Sequence, residues 1–174
     1  MATIDYPWYE IVEGDSLEQG DILRACPIVV PTPAFPIVNN VTVDVQTFDV
    51  IIMTQSCDLE NDKVRDIIVC PHWDLAQAGK MDPSLANKGA WKAVIKGHQF
   101  RYAMLSAWEG EISIGIRIVD FGRIFSLPRD FVQKIASSQG KRLRLCPPYR
   151  EHLSQSFARF FMRVGLPQDI KLPE

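Results

Sequence analysis

The sequence predicts an α+β domain in which a small antiparallel β-barrel or strongly bent sheet is followed by a C-terminal helical pair. Three observations carry this. Apolar runs of strand length fill most of residues 20–126, the densest at 50–53 and 67–70. Several of them alternate apolar and polar residues with a period of two, as a half-buried strand does. The last third changes to helical spacing: Tyr149, Leu153, Phe157, Phe160, Phe161 and Val164 make one apolar stripe, ended by Gly165 and Pro167. At 174 residues and 47% hydrophobic, the chain is sized for one domain with its own core, read here as residues 1–174.

In chain order, residues 1–19 read as an acidic arm with one short helical stretch. Gly20-Asp21 opens a first strand over 22–30, bulged at Pro27 because proline cannot donate to a ladder. Three prolines make 31–36 a loop. Val41, Val43 and Val45 alternate with Thr42 and Asp44, predicting a strand over 37–46, then a turn near Thr47-Phe48-Asp49. Residues 50–54 suit a central strand, the polar stretch 55–63 a connection and 66–70 the returning strand, a hairpin signature. Between 74 and 97 the pattern turns helical, over 74–78 and 83–93, with Asp82 as cap ahead of Pro83. Strands resume over 99–105, 112–118 and 122–126. A helix then runs from about 126 to 137, and the last from about 148 to 164. The β core thus spans 20–127 and the C-terminal helices 128–165.

The net charge of −2 hides an asymmetry. Residues 1–120 carry 9 Lys and Arg against 17 Asp and Glu, and residues 121–174 carry 10 against 4. Charge divided like this either pairs internally, the acidic arm from Asp5 to Asp21 lying on the basic end, or offers a basic face to an anionic partner. On the second reading Arg142, Arg144, Arg150, Arg159 and Arg163 form the face that binds RNA or DNA. His152, Ser156, Arg159 and Arg163 then fall in a helical row able to meet successive phosphates. A protein partner or a homodimer meeting the apolar strands and helix stripe is the alternative. No apolar run approaches membrane length, and the acidic, aromatic start is no secretory signal, so a cytoplasmic protein without membrane contact is expected.

The segment FDVIIMTQSCDLENDKVRDIIVCPHW, with the Gly20-Asp21-Ile22-Leu23 opening before it, resembles the MazF/PemK-type toxins. Their small SH3-like barrel starts with a GDI or GDV strand, followed by an apolar strand, a hairpin and a second apolar strand. The resemblance covers residues 20–73 and implies an SH3-like β-barrel and a place in a bacterial stress, defence or mobile-element system. The family's ribonuclease chemistry uses an Arg ahead of the apolar strand and a Ser or Thr at the end of the next. Here those neighbourhoods read Thr47-Phe48-Asp49 and Cys70-Pro71-His72-Trp73, so the resemblance implies a relative without the usual catalytic pair, or one whose chemistry moved to His72 or Cys57.

Four separated cysteines without a CxxC pair argue against disulfides in a cytoplasmic setting. Cys57, in Gln55-Ser56-Cys57-Asp58, is placed where a nucleophile would be exposed, and a thiolate needs a basic neighbour. His72 across the hairpin and His152 on the last helix are its candidate partners, with Asp58 or Glu151 as orienter, which allows a Cys57-dependent hydrolase or transferase. The commoner reading of Cys57 is a buried residue closing a strand, with Asp58 turning the chain. No cofactor is expected; zinc held by Cys57, Cys70, His72 and His152, or with Cys146, is the alternative.

Overall fold

The computed structural model describes residues 6–30 and 43–162. Arg163, Asp5, the proline loop, most of the strand expected at 37–46 and the Val164–Pro167 helix end lie outside the described residues. Eight strands and five α-helices give an α+β fold with antiparallel sheets. The strands are β1 (Tyr9–Val12), β2 (Ile22–Val30), β3 (Asp44–Ile52), β4 (Asp66–Asp74), β5 (Tyr102–Leu105), β6 (Arg117–Asp120), β7 (Phe125–Pro128) and β8 (Arg142–Leu145). The helices are α1 (Ser56–Glu60), α2 (Leu75–Met81), α3 (Lys88–Ile95), α4 (Arg129–Gln139) and α5 (Tyr149–Phe161), with a 3₁₀ turn at Pro83–Leu85.

The long strand β4 organises the larger sheet. One edge pairs with β3 around Cys70. The other is taken first by β7, Asp66 to Val69 facing Pro128 to Phe125, and then by β6 from His72 to Asp74. β7 and β6 therefore follow one another along the same edge of β4, separated by residues 121–124. The path β2-β3-β4-β6-β5 does not close into a barrel among the described residues. β1 and β8 form a separate two-stranded sheet, joined to the start of β2 by a bridge between Asp21 and Arg144.

Several elements differ from expectation for local reasons. β3 runs straight through Thr47-Phe48-Asp49, because Phe48 and Val50 pack inward while Asp49 accepts a hydrogen bond from the Ala25 N–H. The bulge in β2 falls between Leu23 and Cys26, not at Pro27, and puts Ala25 at φ 48°. β1 stands where an arm with a helical turn was expected, and β8 inside the basic stretch; both are four residues long, too short for a period to show. Asp82 does cap the turn at Pro83, accepting from Ser84 N.

Two apolar layers result. Leu23, Val50, Ile52, Ile67 and Val69 pack under Val132 and Ala136 of α4, and Tyr9, Ile51, Cys70, Val119, Phe121, Leu143 and Leu145 pack under Leu153 of α5. Helices α2 and α3 cover Tyr102 and Ile118. No helix among the described residues is long and apolar enough to cross a membrane.

Candidate functional site

The acidic arm and the basic stretch meet in the interior. Gly20, at φ 90°, turns the chain where a Cβ would sit 2.9 Å from that of Leu145, and delivers Asp21, fully buried, between Arg142 and Arg144 of β8. Arg142 Nε donates to Asp21 Oδ2 at 2.9 Å, and its remaining nitrogens donate to the carbonyls of Gly14 and Ser16. Arg144 bonds both Asp21 oxygens, the Ser16 carbonyl and Glu18. Glu18 also accepts from Arg150 at 3.0 Å. Side-chain exposures of 1% for Arg142 and 8% for Arg144 leave these two guanidiniums no face for a phosphate, which corrects their placement on a nucleic-acid surface. Arg150 is half-buried and paired.

The polar row of α5 has a different setting. His152, Ser156 and Arg159 line a cavity of about 500 Å³ between α5 and the α3–β5 segment, facing Lys96, Phe100 and Met104. One wall is Trp8 stacked on Tyr149, ring centroids 3.7 Å apart and 10° from parallel. No described residue lining it is a carboxylate, in a chain with 21 acids. Sequence reasoning found the helical half of this site. It missed Lys96, Phe100 and Trp8, which come from segments without a readable period.

The proposed cysteine chemistry is not assembled. Cys57 is exposed in the first turn of α1, and its thiol contacts Asp58 Oδ1 at 3.8 Å. Gln55 Nε2 donates to Ser154 Oγ of α5 at 2.8 Å. Ser154 and His152 are two residues apart, about 200° around a helix, so His152 faces the cavity rather than Cys57. Cys70 is fully buried, and burial, with Asp120 adding, pushes its thiol up to about 12. Among the described residues no three His, Cys, Asp or Glu side chains group as metal ligands, so Cys57, Cys70, His72 and His152 do not form a zinc set.

His72 occupies its own place. It is 2% exposed, on β4, and neither ring nitrogen has a hydrogen-bond partner. With Asp49 of β3, Arg117 of β6, Arg24 of the β2 bulge and Ser113 it lines a cavity of about 120 Å³. Arg117 Nη1 lies 3.8 Å from Asp49 Oδ2, while its buried Nε has no partner. Burial, the largest cause, pushes the imidazole down to about 4, Asp49 opposing and Arg117 adding, so His72 is neutral at pH 7. Asp49 and His72 thus line the same cavity. The sequence singled out His72 for its chemistry and read Asp49 as part of a turn; nothing in it distinguished Arg24 and Arg117 from other arginines in expected strands.

No protein-family model, no curated protein and no solved structure matches the chain.

Proposed function

We propose that the chain is a nucleic-acid-binding accessory or toxin-like component of a bacterial stress, defence or mobile-element system, holding a single-stranded segment in the groove between α5, α3 and β5. The carrying observation is the 500 Å³ cavity in which the cations of Lys96 and Arg159 share the lining with the stacked rings of Trp8 and Tyr149, with no carboxylate among its described lining. Cations that track phosphates beside rings that stack bases are what sequence-tolerant single-strand binding requires. In this reading the core is an opened, divergent SH3-like barrel of the MazF/PemK kind, supported by the antiparallel pairing of β4 with β3, β7 and β6. In the same reading the usual ribonuclease pair is missing, its two neighbourhoods being Thr47-Phe48-Asp49 and Cys70-Pro71-His72-Trp73.

Fluorescence anisotropy with labelled single-stranded RNA and DNA across a salt series tests this. Saturable binding at low salt is expected, weakened at least tenfold in Lys96→Ala/Arg159→Ala, with the slope of log Kd against log salt reduced by about one to two. No binding at low salt, or affinity unchanged in the double variant, overturns it.

A further inference from the structure

The His72 cavity belongs neither to the groove nor to the packing of the core. A buried imidazole with both nitrogens unpaired is unusual, since nearly all buried polar side-chain atoms find a partner. Here a second residue with an unpaired buried donor, Arg117 through its Nε, lines the same space. Two residues with orphaned nitrogens thus border one cavity, which makes an occupant of that cavity the natural partner for them.

Charge narrows what the occupant is. Four elements bring ionisable groups to His72: Arg24 from β2, Asp49 from β3, Arg117 from β6 and Arg142 from β8. Arg142 is saturated by Asp21 and two carbonyls. Asp49 has one oxygen on the Ala25 N–H and the other toward Arg117. Arg24 and Arg117 against Asp49 leave one positive charge in excess. The space of about 120 Å³ corresponds to roughly four water molecules, room for one tetrahedral group but not for a nucleobase with its sugar. Ile22, Ile112 and Ile114 form the remaining wall, which lowers the local dielectric and strengthens a charge-assisted bond.

We propose that the cavity lined by His72, Arg117 and Arg24 is a binding site for a single phosphate-sized oxyanion. Arg117 Nε and one His72 N–H donate to the anion's oxygens, and Arg24, exposed on the bulge, closes over it from the solvent side. An anion beside the imidazole favours its protonated form, so the second ring nitrogen takes up a proton on binding and affinity rises as pH falls. The oxyanion is either free or one phosphate of a nucleic-acid backbone; the two share this chemistry.

Isothermal titration calorimetry of the full chain with inorganic sulfate and inorganic phosphate tests the site, sulfate because its own charge is constant between pH 5 and 8. Saturable one-to-one binding is expected, with sulfate affinity at least threefold higher at pH 5.5 than at pH 7.5, and at least fivefold weaker in Arg24→Ala, an exposed position whose loss spares folding. His72→Gln should keep the binding but abolish its pH dependence. No saturable binding of either anion, affinity unchanged in Arg24→Ala, or a pH dependence that survives His72→Gln overturns the proposal. A third titration, with an RNA dinucleotide lacking terminal phosphates, separates the sources: binding that Arg24→Ala weakens assigns the site to a backbone phosphate, and none assigns it to a free anion. Lys96→Ala/Arg159→Ala should leave sulfate affinity unchanged, which separates failure here from failure of the groove.

Discussion

Asp21, at the entry to β2, and His72, on β4, are both ionisable and buried, at 0% and 2% exposure, yet their surroundings are opposites. Asp21 accepts from two guanidiniums and from the Glu18 N–H; neither ring nitrogen of His72 has a partner among the described residues. Burial alone therefore does not mark a site. A fully satisfied charge network fixes which segments meet, here joining the arm to β8 across more than 120 residues of chain. An unsatisfied group lowers stability unless something arrives to complete it.

The largest effect that would break this contrast is expected at Asp21. Asp21→Ala leaves Arg142 buried without a carboxylate and Arg144 with Glu18 alone, and removing one partner of such a network costs about 3 to 5 kcal/mol. Urea unfolding followed by tryptophan fluorescence should show the loss as a lower midpoint. A loss under about 1 kcal/mol would mean that the cluster is not what holds the arm to β8.

The opposite sign is expected at His72. Its folded pKa of about 4 lies below the ordinary histidine value, so between about 6.5 and 4 the unfolded chain binds a proton that the native state does not. Stability is then complete above about pH 6.5 and falls as pH is lowered toward 4, by roughly 3 kcal/mol from this group. His72→Leu removes that contribution and leaves no unpaired nitrogen. Relative to the parent it should be neutral or more stable at pH 7.5, and its advantage should widen at pH 4.5. A difference between the two proteins that stays flat across this range would show that His72 is not held neutral in the parent.

These two groups also measure what the sequence could disclose. The α5 stripe and the Asp82 cap were legible, because each depends on local spacing, and β2 and β4 announced themselves as long apolar runs. The split of charge was legible too, but not its outcome: whether Arg142 and Arg144 reach solvent depends on where Asp21 lies in space, and no local rule joins residues that far apart. The His72 cavity was half-legible. His72 stood out as a candidate partner for Cys57, whereas Asp49 was read as part of a turn, and Arg24 and Arg117 fell within expected strands without being singled out. Those three meet His72 only because β2, β3 and β6 come together around β4.

The smallest predicted effect sharpens the comparison at the backbone. Beside Asp21 the chain enters the left-handed region at Gly20, where glycine adopts φ 90° without steric cost. Beside the His72 cavity it does so at Ala25, φ 48°, held there by the Asp49 carboxylate, and an L side chain in that region costs about 1 to 2 kcal/mol. Ala25→Gly relieves this strain but gives the unfolded chain more freedom, worth about 0.5 to 1 kcal/mol. A net gain of about 0.5 kcal/mol is expected, read as a slightly higher unfolding midpoint. The informative measurement is sulfate affinity in the same variant. If the strained bulge serves to aim Arg24 at the cavity, as strain beside functional groups commonly does, a looser backbone should weaken binding even as it stabilises the fold. Stability gained with affinity unchanged would make the bulge only a means of fitting β2 to β3.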